Sequence, residues 1–89
     1  MNDELKKLRQ KIDSVDDELV SLLSKRTDIV KEVGKLKKEH QIDLLDEKRL
    51  HELLDAKKRK AKLLGISESF IEKIFKEIHE YSVEIQKKL

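Results

Sequence analysis

Cationic and hydrogen-bonding side chains interrupt an otherwise apolar helical pattern, and their types are suited to binding an anion. Arg26 stands where the spacing of the neighbouring apolar residues calls for a hydrophobic side chain. Lys37 follows eleven residues later, close to three helical turns, and so faces nearly the same way. Ser82 and Gln86 add neutral hydrogen-bonding groups one turn apart. Two buried cations are costly unless an anion neutralises them, so the set predicts a site for a small, multiply charged anion.

Arg9 cannot reach that ligand from the same chain. It precedes Arg26 by seventeen residues, which is about 25 Å along a helix with a rotation of about 100°. If Arg9 belongs to the site, it comes from a second subunit whose long helix runs antiparallel beside the first. Two alternatives need no ligand: Arg26 extends along the helix edge into water, or it sets the register of a coiled coil.

The elements that position these residues are predicted to be helices. In the first segment the apolar residues alternate in steps of three and four, as in a heptad repeat. They are Leu5, Leu8, Ile12, Val15, Leu19, Leu22, Ile29, Val33 and Leu36. We predict a very long helix over about residues 3–39, a second over about 46–63 and a third over about 68–88. The fold class is therefore all-α, with three helices in one domain over residues 1–89.

The helix boundaries carry local signals. Asp43 or Asp46 is available as the N-cap of the second helix, and Ser67 as the N-cap of the third. Gly65 fits the position just after the second helix. The third helix should bury a stripe of apolar side chains. This stripe consists of Phe70, Ile71, Ile74, Phe75, Ile78, Val83 and Ile85.

Composition narrows the possible partners. Charged residues are 45% of the chain and aromatic residues 3%, so one copy has little large apolar material for a core and should need a second copy. The net charge is only +2, and the basic run at 57–62 has no interleaved aromatic residues, which favours a solvated helix end over a nucleic-acid patch. No apolar run is long enough for a membrane span, and the N-terminal residues lack a signal-peptide core. We expect a cytoplasmic protein with no nucleic-acid or membrane partner.

Metal and covalent chemistry have no support in the sequence. There is no cysteine, and the His51 segment HELLD lacks the second histidine of a zinc-binding HExxH helix. Neither a Ser, His and Asp set nor a glycine-rich phosphate loop is present. We predict no metal and no cofactor, so any catalysis must work by positioning and electrostatics.

Four segments in a fixed order resemble the all-helical class of chorismate mutase. They are LRQKID at 8–13, LLSKR at 22–26, VGKLK at 33–37 and SVEIQ at 82–86. The resemblance covers nearly the whole chain without gaps. It implies an intertwined antiparallel homodimer of three-helix chains with two sites, each completed by an arginine of the neighbouring subunit. It also implies the isomerisation of chorismate to prephenate in aromatic amino acid biosynthesis, without a cofactor.

The resemblance assigns roles to individual residues. Arg9 of one chain and Arg26 of the other would hold the two carboxylates of chorismate, while Lys37 and Gln86 would contact its ether oxygen. Arg26, Lys37 and Gln86 are thus the expected catalytic residues. The remaining expected contacts are Asp46 and Arg49 at the start of a DxxRE-like segment, Ser82 near the ring carboxylate, and Val33, Leu53 and Val83 as apolar walls.

Two positions depart from the family pattern. Leu50 replaces a glutamate that, with the aspartate matched by Asp46, contacts the ring hydroxyl. A register shifted by three would put Glu47 in the place of the glutamate and Asp43 in the place of the aspartate. Asp46 would then replace the arginine, and the third helix would no longer match without a gap. The second departure is His79, at a usually apolar position, which either reaches a hydroxyl or lies at the rim.

Leu50 leaves two alternative functions open. An apolar residue at that position resembles the isochorismate-pyruvate lyases, which share the fold but lack the aspartate that Asp46 retains here. A related chorismate-type mutase belongs with this alternative. The other alternative is a non-catalytic helical dimerisation module.

Overall fold

The computed structural model describes residues 2–89 as three helices joined by short loops. Helix α1 spans Asn2–Glu39, α2 spans Glu47–Leu63 and α3 spans Glu68–Lys87. Residues 2–89 contain no strand, so the predicted all-α class is confirmed. The predicted helix bounds differ by one residue at three ends, because α1 already begins at Asn2 while Asp46 and Lys88 are caps outside α2 and α3. None of these helices is both long and apolar enough to cross a bilayer.

Side-chain and glycine caps fix the boundaries of α2 and α3. The Asp46 carboxylate accepts a hydrogen bond from the Arg49 amide at 3.0 Å, and the Ser67 hydroxyl accepts one from the Phe70 amide at 3.2 Å. Gly65 follows α2 with a φ of 73°, a conformation that costs a glycine little. The amides of Gly65 and Ile66 return to the carbonyls of Lys62 and Ala61 at 3.2 and 2.9 Å, which completes a Schellman motif.

Helix α3 packs against both other helices and so supports the core. It contacts both α2 and α1, and it meets α1 at Arg26, Val30 and Gly34 in the C-terminal half of that helix. The buried apolar residues are Leu53, Leu54, Ala61 and Val83. Phe70 is 53% exposed, so its predicted place in the buried stripe is wrong for a single copy. In the first turns of α3 it is Ile71 and Phe75 that share a cleft with Ala61 of α2.

The N-terminal half of α1 extends beyond the rest of the chain. The molecule is 59 Å in its longest dimension, close to the length of about 57 Å expected for the 38 residues of α1. Residues 2–25 are all exposed. The heptad residues along this half are each about half exposed, and they are Leu5, Leu8, Ile12, Val15, Leu19 and Leu22. A single copy therefore presents a long apolar stripe to solvent, which favours a partner helix.

At Gly34, α1 lies close to the end of α3. This glycine is the only buried residue of α1 among residues 2–39. A Cβ atom at this position would lie 2.9 Å from Cγ of Gln86 and 2.7 Å from Cδ1 of Leu89. Both distances are shorter than carbon atoms tolerate. The missing side chain thus allows Gln86 to sit directly against the α1 backbone.

We predict that Gly34→Ala displaces Gln86 while leaving the helices intact. Alanine favours a helix over glycine by up to about 1 kcal/mol, so helix content measured by circular dichroism should not fall. The added methyl group instead pushes the Gln86 stem away from α1. Activity that depends on Gln86 should fall about tenfold or more in kcat/KM, equivalent to about 1.4 kcal/mol of transition-state stabilisation. Unchanged kcat/KM would show that the close approach does not position Gln86.

Candidate active site

A cavity of about 290 Å³ lies where the C-terminal half of α1, the start of α2 and the C-terminal half of α3 meet. It is partly open to solvent. Its lining combines cationic, hydrogen-bonding and aliphatic side chains from all three helices and the loop between α1 and α2. The lining residues are Arg26, Ile29, Val30, Val33, Lys37, Leu44, Asp46, Arg49, His79, Ser82, Val83 and Gln86.

Helical spacing explains why α1 and α3 contribute so many of these residues. The α1 residues run from Arg26 to Lys37 in steps of one, three or four, which keeps them on one face. The α3 residues begin at His79 and recur at i+3, i+4 and i+7, ending at Gln86. The two faces oppose each other across the cavity, so polar residues far apart in the sequence converge there.

Arg26 is held in place by Ser82. Its Nη1 atom donates a hydrogen bond to the Ser82 hydroxyl at 2.5 Å. That hydroxyl in turn donates to the Ile78 carbonyl of α3 at 2.8 Å. Ser82 is only 8% exposed, so these two hydrogen bonds hold the guanidinium against the buried face of α3. The remaining N–H groups of Arg26 are available for a planar acceptor such as a carboxylate.

The charge of Arg26 is incompletely compensated. Burial and, to a smaller extent, the positive charge of Arg49 lower the pKa of Arg26. Arginine nevertheless stays protonated in proteins, so the cost of burial remains in the folded chain. An anion bound beside Arg26 would offset that cost.

Lys37 and Gln86 are each anchored by one hydrogen bond and keep further donors. The Lys37 ammonium donates to the Leu44 carbonyl at 3.2 Å, which fastens the loop after α1. The Gln86 amide nitrogen donates to the Val30 carbonyl at 3.1 Å. An ammonium has three N–H groups and a side-chain amide two. Both side chains are thus oriented by the protein while retaining at least one donor for a ligand.

The charges of the cavity select an anion. Three lining side chains are cationic, namely Arg26, Lys37 and Arg49, and Asp46 is anionic, so their sum is 3 − 1 = +2 with histidine neutral. Aliphatic side chains from α1 and α3 supply the rest of the wall. Within residues 2–89 no group of three or more His, Cys, Asp or Glu side chains could hold a metal ion. The site is suited to a small dianion with an apolar body.

The cavity brings together most of the residues predicted from sequence. Nine of the twelve line it, namely Arg26, Val33, Lys37, Asp46, Arg49, His79, Ser82, Val83 and Gln86. Leu53 is instead part of the buried core, and Leu50 is half-buried on α2 without lining the cavity. Arg9 is exposed on the projecting half of α1. The single chain therefore does not bring these last three residues to the cavity.

Sequence reasoning missed three lining residues. Ile29 and Val30 follow Arg26 by three and four residues, so helical spacing from Arg26 could have found both. Leu44 lies in the loop between α1 and α2, where no periodic pattern identifies a contact. Its role is also carried by the backbone, because its carbonyl accepts the hydrogen bond from Lys37.

Comparison with known proteins agrees with this geometry. A sequence model of the family described as chorismate mutase type II matches residues 8–87. The match includes α1 from residue 8 onward, the whole of α2 and α3, and every residue that lines the cavity. The chain therefore belongs to the chorismate mutase type II family.

Three curated relatives are similar to this chain. It is 39% identical over 72 residues to the T-protein of Haemophilus influenzae and 35% identical over 75 residues to the T-protein of Enterobacter agglomerans. These matches cover 81% and 84% of this chain but only 19% and 20% of the T-proteins. The chain thus spans about a fifth of the length of these relatives. It is also 28% identical over 87 residues to the chorismate mutase of Methanocaldococcus jannaschii, covering 98% of this chain and 88% of that protein.

We predict that Arg26→Leu stabilises the folded chain and abolishes anion binding. Leucine removes a partly buried cation and restores the apolar heptad, which should raise the free energy of unfolding by about 1 kcal/mol. Urea denaturation measures this gain, and titration calorimetry with a chorismate analogue that does not rearrange measures binding. Lys25→Leu, at the exposed neighbouring position, is the matched control and should still bind. Retained binding by Arg26→Leu would contradict the role of Arg26 in holding the anion. No binding by the unmodified chain, together with the gain in stability, would support the alternative of a coiled-coil module without a ligand.

Proposed function

We propose that this chain is a chorismate mutase, which converts chorismate to prephenate in aromatic amino acid biosynthesis. The convergence of Arg26, Lys37 and Gln86 on one cavity carries the proposal, because each has a fixed position and a free donor. The reaction is an intramolecular [3,3] rearrangement in which the ether C–O bond breaks as a new C–C bond forms. No proton, electron or second reactant enters or leaves, so neither a nucleophile nor a cofactor is needed.

The proposed catalysis rests on charge and confinement. As the C–O bond breaks, negative charge grows on the ether oxygen, and the free donors of Lys37 and Gln86 stabilise it. Such fixed donors are effective because they need no reorganisation during the reaction. Arg26 holds one substrate carboxylate, with Ser82 setting the direction of the guanidinium. The cavity walls favour the compact conformer, in which the two reacting carbons lie close together.

The chain is proposed to work as an intertwined antiparallel homodimer. The apolar stripe on the projecting half of α1 supports this, since an antiparallel copy would cover it. The same arrangement would carry Arg9 of the partner subunit toward the cavity that holds Arg26. Arg9 would then bind the second carboxylate, with Arg49 adding positive potential at the start of α2. The site is completed only when two copies associate.

Leu50 supports a second candidate, an isochorismate-pyruvate lyase or related chorismate-type mutase. The side chain is apolar and half-buried on α2, so it offers no acceptor to a ring hydroxyl. Asp46, which precedes Leu50 by four residues, lines the cavity and favours the mutase. The expected cytoplasmic location and the absence of a nucleic-acid partner stay predictions.

A direct assay separates these functions. We expect the purified chain to convert chorismate to prephenate without added metal or nucleotide. Lys37→Ala should lower kcat at least about a hundredfold, because it removes a preorganised donor from the reacting oxygen. Lys35→Ala, which removes an exposed lysine of α1, is the matched control and should retain activity.

The same assay with isochorismate tests the lyase. Release of pyruvate and salicylate, together with no turnover of chorismate, would contradict the proposed mutase. In that case Leu50→Glu should weaken the lyase reaction, because it adds a carboxylate where that substrate has no matching hydroxyl. An active mutase with no pyruvate release would exclude the lyase.

A further inference from the structure

His79 lines both the cavity and a neighbouring surface groove. It lines the cavity together with Ser82, Val83 and Gln86 on one face of α3. It also lines a neighbouring surface groove that is bordered by Leu45, the residue immediately before Asp46. His79 and Val83 therefore form the boundary between the cavity, which Asp46 lines, and this groove.

The imidazole of His79 is free to bind a ligand. It is half-buried, and within residues 2–89 none of the side-chain hydrogen bonds or ion pairs involves it. The other polar residues on this face of α3 are already engaged, since Ser82 contacts Arg26 and Ile78, and Gln86 contacts Val30. An unoccupied hydrogen-bonding group in an otherwise anchored site is suited to a specific contact with the substrate.

One polar group of chorismate, the ring hydroxyl, has no hydrogen-bond donor among the residues of the proposed function. In the proposed function the arginines bind the two carboxylates of chorismate, and Lys37 and Gln86 donate hydrogen bonds to its ether oxygen. The ring hydroxyl remains, and a hydroxyl both donates one hydrogen bond and accepts others. Asp46 can accept a hydrogen bond from it, because only the Oδ1 atom of Asp46 accepts the hydrogen bond of the helix cap. A donor to the hydroxyl oxygen is still missing, and Leu50 cannot supply it.

We propose that His79 donates a hydrogen bond to the ring hydroxyl of the substrate and so takes part in distinguishing among chorismate-type substrates. The inference rests on the proposed mutase function and adds a residue to it. His79 binds a group that does not react. It should therefore act mainly on substrate affinity, with little effect on the rearrangement step.

The test compares chorismate with the analogue that lacks the ring hydroxyl. For chorismate, His79→Leu should raise KM about three- to tenfold, the range for one hydrogen bond, and change kcat less. For the deoxy analogue the same substitution should change KM little. His79→Gln keeps an N–H donor at similar reach and should recover most of the affinity for chorismate. His51→Leu, an exposed histidine of α2 outside the cavity, is the matched control and should behave as the wild type.

The outcomes separate this inference from the proposed function. If the unmodified chain turns over chorismate but His79→Leu affects both substrates equally, or neither, the contact with the hydroxyl does not exist and the mutase stands. If the unmodified chain turns over no chorismate, both proposals fail. Circular dichroism of His79→Leu shows whether the variant is folded. A folding defect would lower the activity toward both substrates, so it could not cause a loss of affinity for chorismate alone.

Discussion

A positive charge held on an apolar helical seam is the constraint on which the rest of the structure depends. Arg26 interrupts the heptad of α1 and is partly withdrawn from water, which lowers its pKa. The Ser82 hydroxyl gives it a fixed direction, but a neutral hydroxyl does not neutralise a guanidinium. The folded chain thus retains a preference for an anion at one place. A site that pre-orients cations in this way sacrifices some stability and gains a charged group whose position is set before the ligand arrives.

The close contact between α1 and α3 follows from the same requirement. Lys37 and Gln86 must both face the region near Arg26, yet they belong to helices that are separated by the whole of α2 in the sequence. Gly34 allows the Gln86 stem to approach the α1 backbone. The Val30 carbonyl then accepts a hydrogen bond from the side-chain amide of Gln86. The helices that form the fold and the donors that form the site are therefore positioned by the same contacts.

Much of the fold was predictable because its signals are local. The three- and four-residue spacing gave the three helices, and the caps at Ser67 and Gly65 form within a few residues of the sequence. The convergence of Arg26, Lys37 and Gln86 was also accessible, since their spacing within each helix places them on one face. The resemblance to a known family further predicted that these faces of α1 and α3 meet at one site, and it predicted the role of each residue there.

The remainder depends on tertiary packing. Leu44 lines the cavity from a loop without periodicity, and the core position of Leu53 depends on how α2 meets α3 rather than on the pattern within α2. The exposure of Phe70 has the same origin. Arg9 differs in kind, because no arrangement of one chain can place it beside Arg26, and its proposed role requires a second copy.

The most direct test of a site shared between two copies is complementation between two inactive variants. Arg9→Ala and Arg26→Ala should each be nearly inactive as homodimers. When equal amounts are unfolded together and refolded, half of the dimers should be mixed, and each mixed dimer would have one site with both arginines. Two-fold symmetry thus predicts recovery of about a quarter of the wild-type chorismate mutase activity. No recovery, although sedimentation and mass spectrometry show that mixed dimers have formed, would contradict the shared site.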